Sequence, residues 1–187
     1  MLRPRTVYLV GPTVYAEYAE PVRKEARLLC EAAGFVVSTP APDAMTEREP
    51  SEIRAREIYA ERASRMRQAD AAIVDLSPFR GPHCDPGAAF EAGFLAGLGK
   101  PVFAYMNVLT EDEAELGVRV ESYVGAEADE AGVWRDINGA EVEDYGLPES
   151  LMLWAEARRF YVVVTPDAHL DLAGLRLCLD AVKLYLD

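Results

Sequence analysis

One carboxylate stands alone in an otherwise uncharged stretch of the chain. From Pro86 to Gly99 the sequence reads PGAAFEAGFLAGLG, and Glu91 is its only charged residue. Burying a carboxylate among apolar side chains without partners costs on the order of several kcal/mol or forces its protonation. The pattern therefore leaves two interpretations open. Either Glu91 carries out chemistry, or it is a polar residue satisfied inside the protein.

A second carboxylate, Asp85, lies just before this stretch and is followed by Pro86. Aspartate and then proline are expected at the N-cap and first position of a helix, so capping is the simpler interpretation of Asp85. The Glu91 side chain leans toward Ala88 and Gly87, whose small size leaves room for a ligand. Two carboxylates beside a cavity suit glycosidic chemistry, in which one attacks an anomeric carbon and the other handles protons or orients hydroxyls.

Strands that alternate with helices are predicted on both sides of this segment. Apolar β-branched runs predict strands at residues 6–10, 35–38, 71–76 and 101–105. Helical spacing predicts helices at residues 20–33, 51–68, 86–98 and 170–186. This alternation implies right-handed crossovers and a parallel sheet with helices on both faces. We expect one α/β domain over residues 1–187, a doubly wound parallel sheet of Rossmann-like or flavodoxin-like type.

The ligand site of such a sheet is expected beyond the carboxyl ends of its strands. Here those ends are Gly11-Pro12, Thr39-Pro40 and the run from Ser77 to Phe79. Three other stretches lack clear periodicity: an exposed loop is expected at 41–51, an acidic stretch at 111–130, and a hairpin or extended excursion at 136–146.

Charge and cysteine content exclude several classes of partner. The 187 residues include 32 acidic and 19 basic side chains, a net charge of −13, so binding to a nucleic-acid polymer is not expected. Three widely spaced cysteines lack a C-x-x-C pair or a histidine cluster, which predicts no zinc site and a reducing compartment. No secretory signal and no apolar run of ~18 to 20 residues is present, so we expect a cytoplasmic protein without a membrane partner.

Three blocks of the sequence resemble the nucleoside 2-deoxyribosyltransferase family. In chain order they are LVGPTVYAE, VDLSPFRGPHCDPGAAFEAGFLAGLGKPVFAY and DYGLPESLML, and the resemblance covers most of the chain, from Val7 to Met152. The central block is the most specific. The resemblance implies an enzyme without metal or organic cofactor, whose partners are a 2′-deoxynucleoside donor and a free nucleobase acceptor.

The resemblance also implies roles for individual residues. Glu91 matches the nucleophile that attacks C1′ and holds the deoxyribosyl group, and Asp85 matches a carboxylate near the sugar and base. Tyr8 matches the tyrosine that hydrogen-bonds the nucleophile; the alternative for Tyr8 is simple core packing. Gly11, Pro12 and Tyr15 match the loop that forms a wall around the base. Phe79 is expected to supply a further stacking surface for the base.

Two positions depart from the family pattern. Arg62 stands where the family has Asp or Asn, eight residues before Asp70, which affects base recognition or protonation of the leaving group. Its alternative is a solvated arginine paired with Glu57 or Glu61. Ser150 stands where the family usually has an asparagine that reaches into a neighbouring subunit's site. The resemblance therefore implies a homo-oligomer with shared active sites.

Three functions fit these observations. The first is transfer of a 2-deoxyribosyl group between bases through a covalent intermediate on Glu91, which would serve nucleoside salvage. The second is hydrolysis of nucleosides or nucleotides by the same Glu91, with water as acceptor. The third is a nucleoside-binding module that has kept the fold and lost turnover.

Overall fold

A five-stranded sheet with parallel pairing throughout forms the centre of the computed structural model, which describes residues 3–12, 19–39 and 51–186. In chain order the strands are β1 (Thr6–Val10), β2 (Val36–Ser38), β3 (Ala71–Asp75), β4 (Val102–Val108), β5 (Ala126–Ala128), β6 (Trp134–Asp136) and β7 (Arg159–Val164). The order in the sheet is β2-β1-β3-β4-β7, whereas β5 and β6 form a separate antiparallel pair. The predicted α/β class with a parallel sheet flanked by helices is confirmed.

The described helices connect these strands. They are α1 (Ala19–Ala32), α2 (Glu52–Gln68), α3 (Pro86–Gly97), α4 (Leu116–Val124), α5 (Leu151–Glu156) and α6 (Ala173–Leu186), with a 3₁₀ turn at Asp112–Ala114. The four predicted helices are present, with ends that differ by at most three residues. Within the described ranges no helix has both the length and the apolar character that crossing a bilayer requires.

Successive residues of the central strands face two different apolar layers. Val7 and Ile73 pack in the layer that contains α1 and α6, while Tyr8 and Val74 pack in the layer that contains α2 and α3. This follows from the period of two in a strand, which sends neighbouring side chains to opposite faces. Because both faces are covered, the strands are apolar almost throughout, as is typical of a parallel sheet. Tyr8 is thereby directed toward the helix that carries Glu91.

The start of α3 follows the sequence closely. Asp85 is the N-cap, its Oδ2 accepts a hydrogen bond of 2.9 Å from the Ala88 amide, and Pro86 follows at the first helical position. The capping interpretation of Asp85 is therefore confirmed. This cap fixes where α3 begins and so where Glu91, six residues further on, enters the core.

The second half of the chain holds elements that the sequence interpretation missed. β4 extends three residues beyond its expected end, and β7 adds a fifth strand at the sheet edge. The β-branched run VVV at 162–164 is a signal that would have found it. Of the hairpin or extended excursion expected at 136–146, the hairpin is present at its start: Asp136 accepts the amides of Asn138 and Ala140, and the backbones of Arg135 and Glu141 form an antiparallel β-bridge. The exposed loop expected at 41–51 lies outside the described residues except for its last position.

Candidate functional site

Glu91 is buried, and each oxygen of its carboxylate has a hydrogen-bond donor. It is 4% exposed at the middle of α3. The Tyr8 hydroxyl donates to Oε2 across 3.2 Å, and Nη1 of Arg62 donates to Oε1 across 3.2 Å. Three separate elements, β1, α2 and α3, thus converge on one carboxylate. Of the roles that the family resemblance implies, the contact of Tyr8 with Glu91 is present in the structure.

The surroundings of Glu91 act on its ionisation in opposite directions. Burial raises the pKa of Glu91, while the Arg62 charge and the hydrogen bonds from Tyr8 and Arg62 lower it. The nearby negative charge of Asp85 raises it further. Burial, followed by the charge of Glu91, raises the pKa of Tyr8 well above its ordinary value, so Tyr8 remains a protonated donor. Glu91 is consequently a desolvated carboxylate whose pKa is raised overall, while Tyr8 and Arg62 oppose part of that rise.

Arg62 points into the protein and is not the solvated surface arginine that its simpler interpretation describes. A surface role in which Arg62 pairs with Glu57 or Glu61 is wrong, because its side chain is only 19% exposed and reaches Glu91. Glu57 pairs with Arg54 and Glu61 pairs with Arg65. Arg62 lies on the side of α2 that faces the sheet and α3, one position before the buried Ala63. It is therefore part of the candidate site.

Asp85 is buried near Glu91, with 8% of its surface exposed. Its capping bond involves Oδ2 and an amide at the start of α3. Gly87, which follows Pro86 in the first turn of α3, is half-buried. The structure thus places both carboxylates on one helix, about two turns apart.

The loop after β1 depends on a glycine for packing. Gly11 and Pro12 are both buried, and a Cβ at Gly11 would lie 2.6 Å from the Cβ of Asp75. Asp75 is itself buried and accepts hydrogen bonds from the amide and the hydroxyl of Ser77. Any larger residue at position 11 would displace this turn at the end of β3. Tyr15, the other residue assigned to this loop, lies outside the described residues.

Phe79 belongs to the loop between β3 and α3. Its ring is half-buried, and the Arg80 guanidinium lies over it at 4.7 Å from the ring centroid. The Phe79 amide donates to the His83 carbonyl across 2.9 Å, which closes the loop, and Arg80 has the left-handed φ of 58°. A stacked base at Phe79 would share the ring with Arg80 or displace it. Its role in base stacking stays a prediction.

Ser150 is the N-cap residue of α5, and no hydrogen bond joins it to Glu91 among the described residues. Its amide donates to Oε1 of Glu149, and its hydroxyl does not cap the helix. It borders an apolar groove between α3 and α5, whose walls include Ala89, Gly93, Ala96 and Leu153. Met152, which also lines this groove, is 73% exposed.

A buried group of charged residues escaped the sequence interpretation. Glu149 is 1% exposed and Arg119 is 2% exposed, and Glu149 accepts a hydrogen bond from Nδ1 of His83 across 3.0 Å. His83 lies in the loop between β3 and α3. The position of Glu149 inside the block DYGLPESLML is the one local signal for it. Arg119 follows a stretch dense in exposed acidic residues and has no such signal.

The cysteines are buried free thiols at Cys30, Cys84 and Cys178. Burial, together with the charges of Glu149 and Asp85, raises the pKa of Cys84 to about 12. A thiol with this pKa is a poor nucleophile at neutral pH. In the part of the chain that the structure describes, no group of three or more His, Cys, Asp or Glu side chains is arranged to hold a metal ion.

The fold and the site together define an α/β protein with a buried carboxylate held by a tyrosine and an arginine. The chain belongs to the nucleoside 2-deoxyribosyltransferase family, whose family model matches residues 7–152.

Comparison with individual proteins agrees with this assignment. A solved structure of a 2-deoxyribosyltransferase from Leishmania mexicana is similar at 26% identity and a TM-score of 0.64, over 95% of this chain and 98% of that one. A conserved protein from Enterococcus faecalis V583 shares the fold at 14% identity and a TM-score of 0.56, over 96% of this chain and 99% of that one. An uncharacterised protein of Schizosaccharomyces pombe is 31% identical over 120 residues, which are 63% of this chain and 55% of that protein. The matched region thus spans about half the length of this curated relative.

Proposed function

We propose that the protein transfers a 2-deoxyribosyl group from a 2′-deoxynucleoside to a free nucleobase, with Glu91 as the nucleophile, in nucleoside salvage. The observation that carries this proposal is the buried Glu91 carboxylate with Tyr8 on one oxygen and Arg62 on the other. Membership of the family and similarity to the Leishmania mexicana enzyme support it. A carboxylate desolvated in this way is a better nucleophile than one in water, provided that its neighbours keep it ionised.

In the first step a Glu91 oxygen forms a bond to C1′ of the donor. The bond between C1′ and the base nitrogen breaks, and its electron pair leaves with the base. The transition state has oxocarbenium character, so the negative charge of Glu91 stabilises it. The product is a deoxyribosyl ester of Glu91.

In the second step a nitrogen of the acceptor base attacks C1′ and loses its proton. The ester bond breaks, and its electron pair returns to the Glu91 carboxylate. Each step inverts C1′, so the overall reaction retains the anomeric configuration. The reaction requires a group that manages the proton of the base.

Three neighbours divide the remaining tasks. Tyr8 orients one Glu91 oxygen and leaves the second lone pair of that oxygen available. Arg62 holds the other oxygen and lowers the pKa of Glu91 against the effect of burial, which favours the ionised carboxylate. Because arginine is always protonated and only donates, it does not relay the proton of the base. We assign proton handling, or orientation of the sugar hydroxyls, to Asp85.

We further propose that the active protein is a homo-oligomer in which Ser150 completes a neighbour's site. Ser150 borders an apolar groove whose α3 side is lined by Ala and Gly, and exposed Met152 follows it closely in the chain. Small residues allow a second chain to approach α3 closely. A serine hydroxyl there can donate to or accept from a sugar hydroxyl, over a shorter reach than an asparagine amide.

The function is tested by incubating the protein with deoxyinosine in the presence and absence of adenine. Deoxyadenosine that forms only with adenine supports transfer. Release of free deoxyribose at the same rate without adenine would instead make the protein a hydrolase. Thermal stabilisation by deoxyinosine without any chromatographic product would make it a binding module, since ligand binding alone raises apparent stability.

A further inference from the structure

The buried charges around Glu149 connect two parts of the chain that both lead into the proposed site. Oε2 of Glu149 accepts the Cys84 amide across 2.9 Å, and Cys84 directly precedes Asp85. Oε1 accepts the Ser150 amide across 2.9 Å and Nδ1 of His83 across 3.0 Å. One carboxylate thus holds the loop that ends at Asp85 and the segment that ends at Ser150.

Arg119 supports the same two segments from a third element, α4. Its Nε donates to the Pro82 carbonyl across 2.8 Å, and its Nη2 donates to the Pro148 carbonyl across 2.5 Å. Nη2 also lies 3.9 Å from Oε2 of Glu149. Its Nη1 donates to the carbonyl of Glu113, in the 3₁₀ turn that precedes α4. The guanidinium therefore compensates the charge of Glu149 and fills three carbonyl acceptors.

From this geometry we infer that Glu149, Arg119 and His83 form a clamp that positions Asp85 and Ser150, and we call this group the loop clamp. No hydrogen bond or ion pair joins a member of the loop clamp to Glu91 in the described part of the chain, so its members are positioning residues. The effect of the loop clamp on catalysis rests on the proposed function. The connection that it makes between the segments ending at Asp85 and Ser150 does not depend on that function.

A buried ion pair is a costly way to stabilise a fold, because well-packed apolar residues of similar volume are often at least as stable. The loop clamp differs from an apolar patch in its directional bonds to the backbone beside Asp85 and Ser150. Burial raises the pKa of Glu149, but the hydrogen bonds from His83, Ser150 and Cys84 outweigh this and bring the pKa below its ordinary value. Glu149 therefore remains an acceptor at neutral pH. Displacing a catalytic group by about 1 Å can cost about 100-fold in rate, so directional bonds at this place matter.

His83 is the member of the loop clamp that faces solvent, with 57% of its side chain exposed. The charged groups that act on it are Glu149, Arg119 and Glu143. The hydrogen bond to Glu149 raises the pKa of His83, so protonation strengthens this contact. The stabilisation that protonated His83 gives to the loop clamp is complete below the ordinary histidine pKa. It is lost as the pH rises through the raised pKa of His83. Because His83 is exposed, it can be altered with little effect on core packing.

The connection is tested first by hydrogen exchange, which requires no substrate. His83→Ala should raise the exchange rate about 3- to 10-fold in the peptides around both Cys84 and Ser150, because both lose support from Glu149. His83→Asn, whose amide can donate to Glu149 from a similar place, should restore protection. His169→Ala, at the other histidine of the chain, is the matched control and should leave both peptides unchanged. Faster exchange confined to the His83 loop, or no change, would overturn the loop clamp.

The catalytic consequence is tested on the same variants. His83→Ala should lower kcat/KM about 3- to 10-fold at an unchanged fraction of folded protein, with His83→Asn close to the wild type and without the histidine-dependent step of the pH profile. Wild-type kinetics and an unchanged pH profile in His83→Ala would overturn the positioning role. Glu149→Gln should have a larger effect, because its amide nitrogen would face an N–H group; if it does not fold, the His83 variants decide. Absence of turnover in the wild type would contradict the proposed function alone, since the exchange experiment still decides whether the clamp exists.

Discussion

Nη1 of Arg62 lies 3.2 Å from Oε1 of Glu91, so a permanent cation is in contact with the proposed nucleophile. The family resemblance implies an aspartate or asparagine at position 62, either of which could accept a hydrogen bond. Arginine at this position donates to Glu91 and favours its ionised form. Arginine at position 62 therefore favours the ionised form of the nucleophile, but it cannot accept a hydrogen bond from the base as aspartate or asparagine could.

The acid side of the pH profile should depend on Arg62. Burial raises the pKa of Glu91, so activity is lost as the pH falls through this raised value. Arg62→Gln removes the charge that lowers this pKa, and the acid limb of kcat/KM should move to higher pH. Tyr8→Phe should shift it in the same direction by removing the second donor. Arg56→Gln, which breaks an exposed ion pair with Glu52 on the same helix, should leave the profile unchanged. A profile for Arg62→Gln that coincides with the wild type would contradict this role.

The choice of base should also depend on Arg62. Arg62→Asp replaces a donor with an acceptor, and should change the relative kcat/KM among bases at least several-fold, or about 1 kcal/mol in differential transition-state binding. The measurement is a panel of natural deoxynucleosides against free bases. If the ranking and rates stay as in the wild type, Arg62 does not contact the base and Glu61→Gln is the next variant to measure.

Glu91→Ala should abolish turnover and leave the fold intact. The substitution removes the nucleophile but little apolar packing, and it also removes the cost of a buried carboxylate. We expect the protein to remain folded with a free energy of unfolding lower by about 1–3 kcal/mol, because the buried Tyr8 hydroxyl and the Arg62 guanidinium each lose the Glu91 oxygen to which they donate. Acid quenching of the wild type with deoxyinosine should yield a deoxyribosylated peptide that contains Glu91. Normal activity in Glu91→Ala would rule out the covalent mechanism.

Gly11→Ala should destabilise the protein through a backbone contact near the site. The added Cβ would lie 2.6 Å from the Cβ of Asp75, so the turn after β1 or the end of β3 must shift. Overpacking of this kind costs about 1–3 kcal/mol, which chemical denaturation measures directly. Gly117→Ala is a suitable control, since its nearest neighbour would lie 3.6 Å away and alanine favours the helix. Equal stability of the two variants would contradict the packing argument.

Sharing of sites between subunits should appear as complementation. If each site combines Glu91 of one subunit with Ser150 of the other, Glu91→Ala inactivates the site through the first subunit. Ser150→Ala weakens or inactivates it through the second subunit. A mixed dimer then contains one intact site, so unfolding and refolding an equal mixture should recover roughly a quarter of the wild-type activity. Light scattering at micromolar concentration should show an oligomer. A fully active monomer of about 20 kDa would remove the proposed role of Ser150.

Local features of the chain were readable because they depend on near neighbours in the sequence. The alternation of strands and helices follows from periodic burial, and the start of α3 follows from Asp85 and Pro86. The isolation of Glu91 in an apolar helix also required no knowledge of the fold. Strand β7 was missed although its composition favours a strand, because the less regular region before it obscured the alternation.

Which partners each polar residue meets was decided only by the tertiary structure. Tyr8 and Glu91 are 83 residues apart, Arg62 and Glu91 are 29 apart, and Glu149 lies 66 residues from His83. Arg62 shows the reason: its helix offers nearby glutamates as surface partners, and nothing in the local pattern distinguishes that pairing from contact with a buried carboxylate. The packing of α2 and α3 against the same face of the sheet makes the choice, because it brings Arg62 to a desolvated charge that requires compensation.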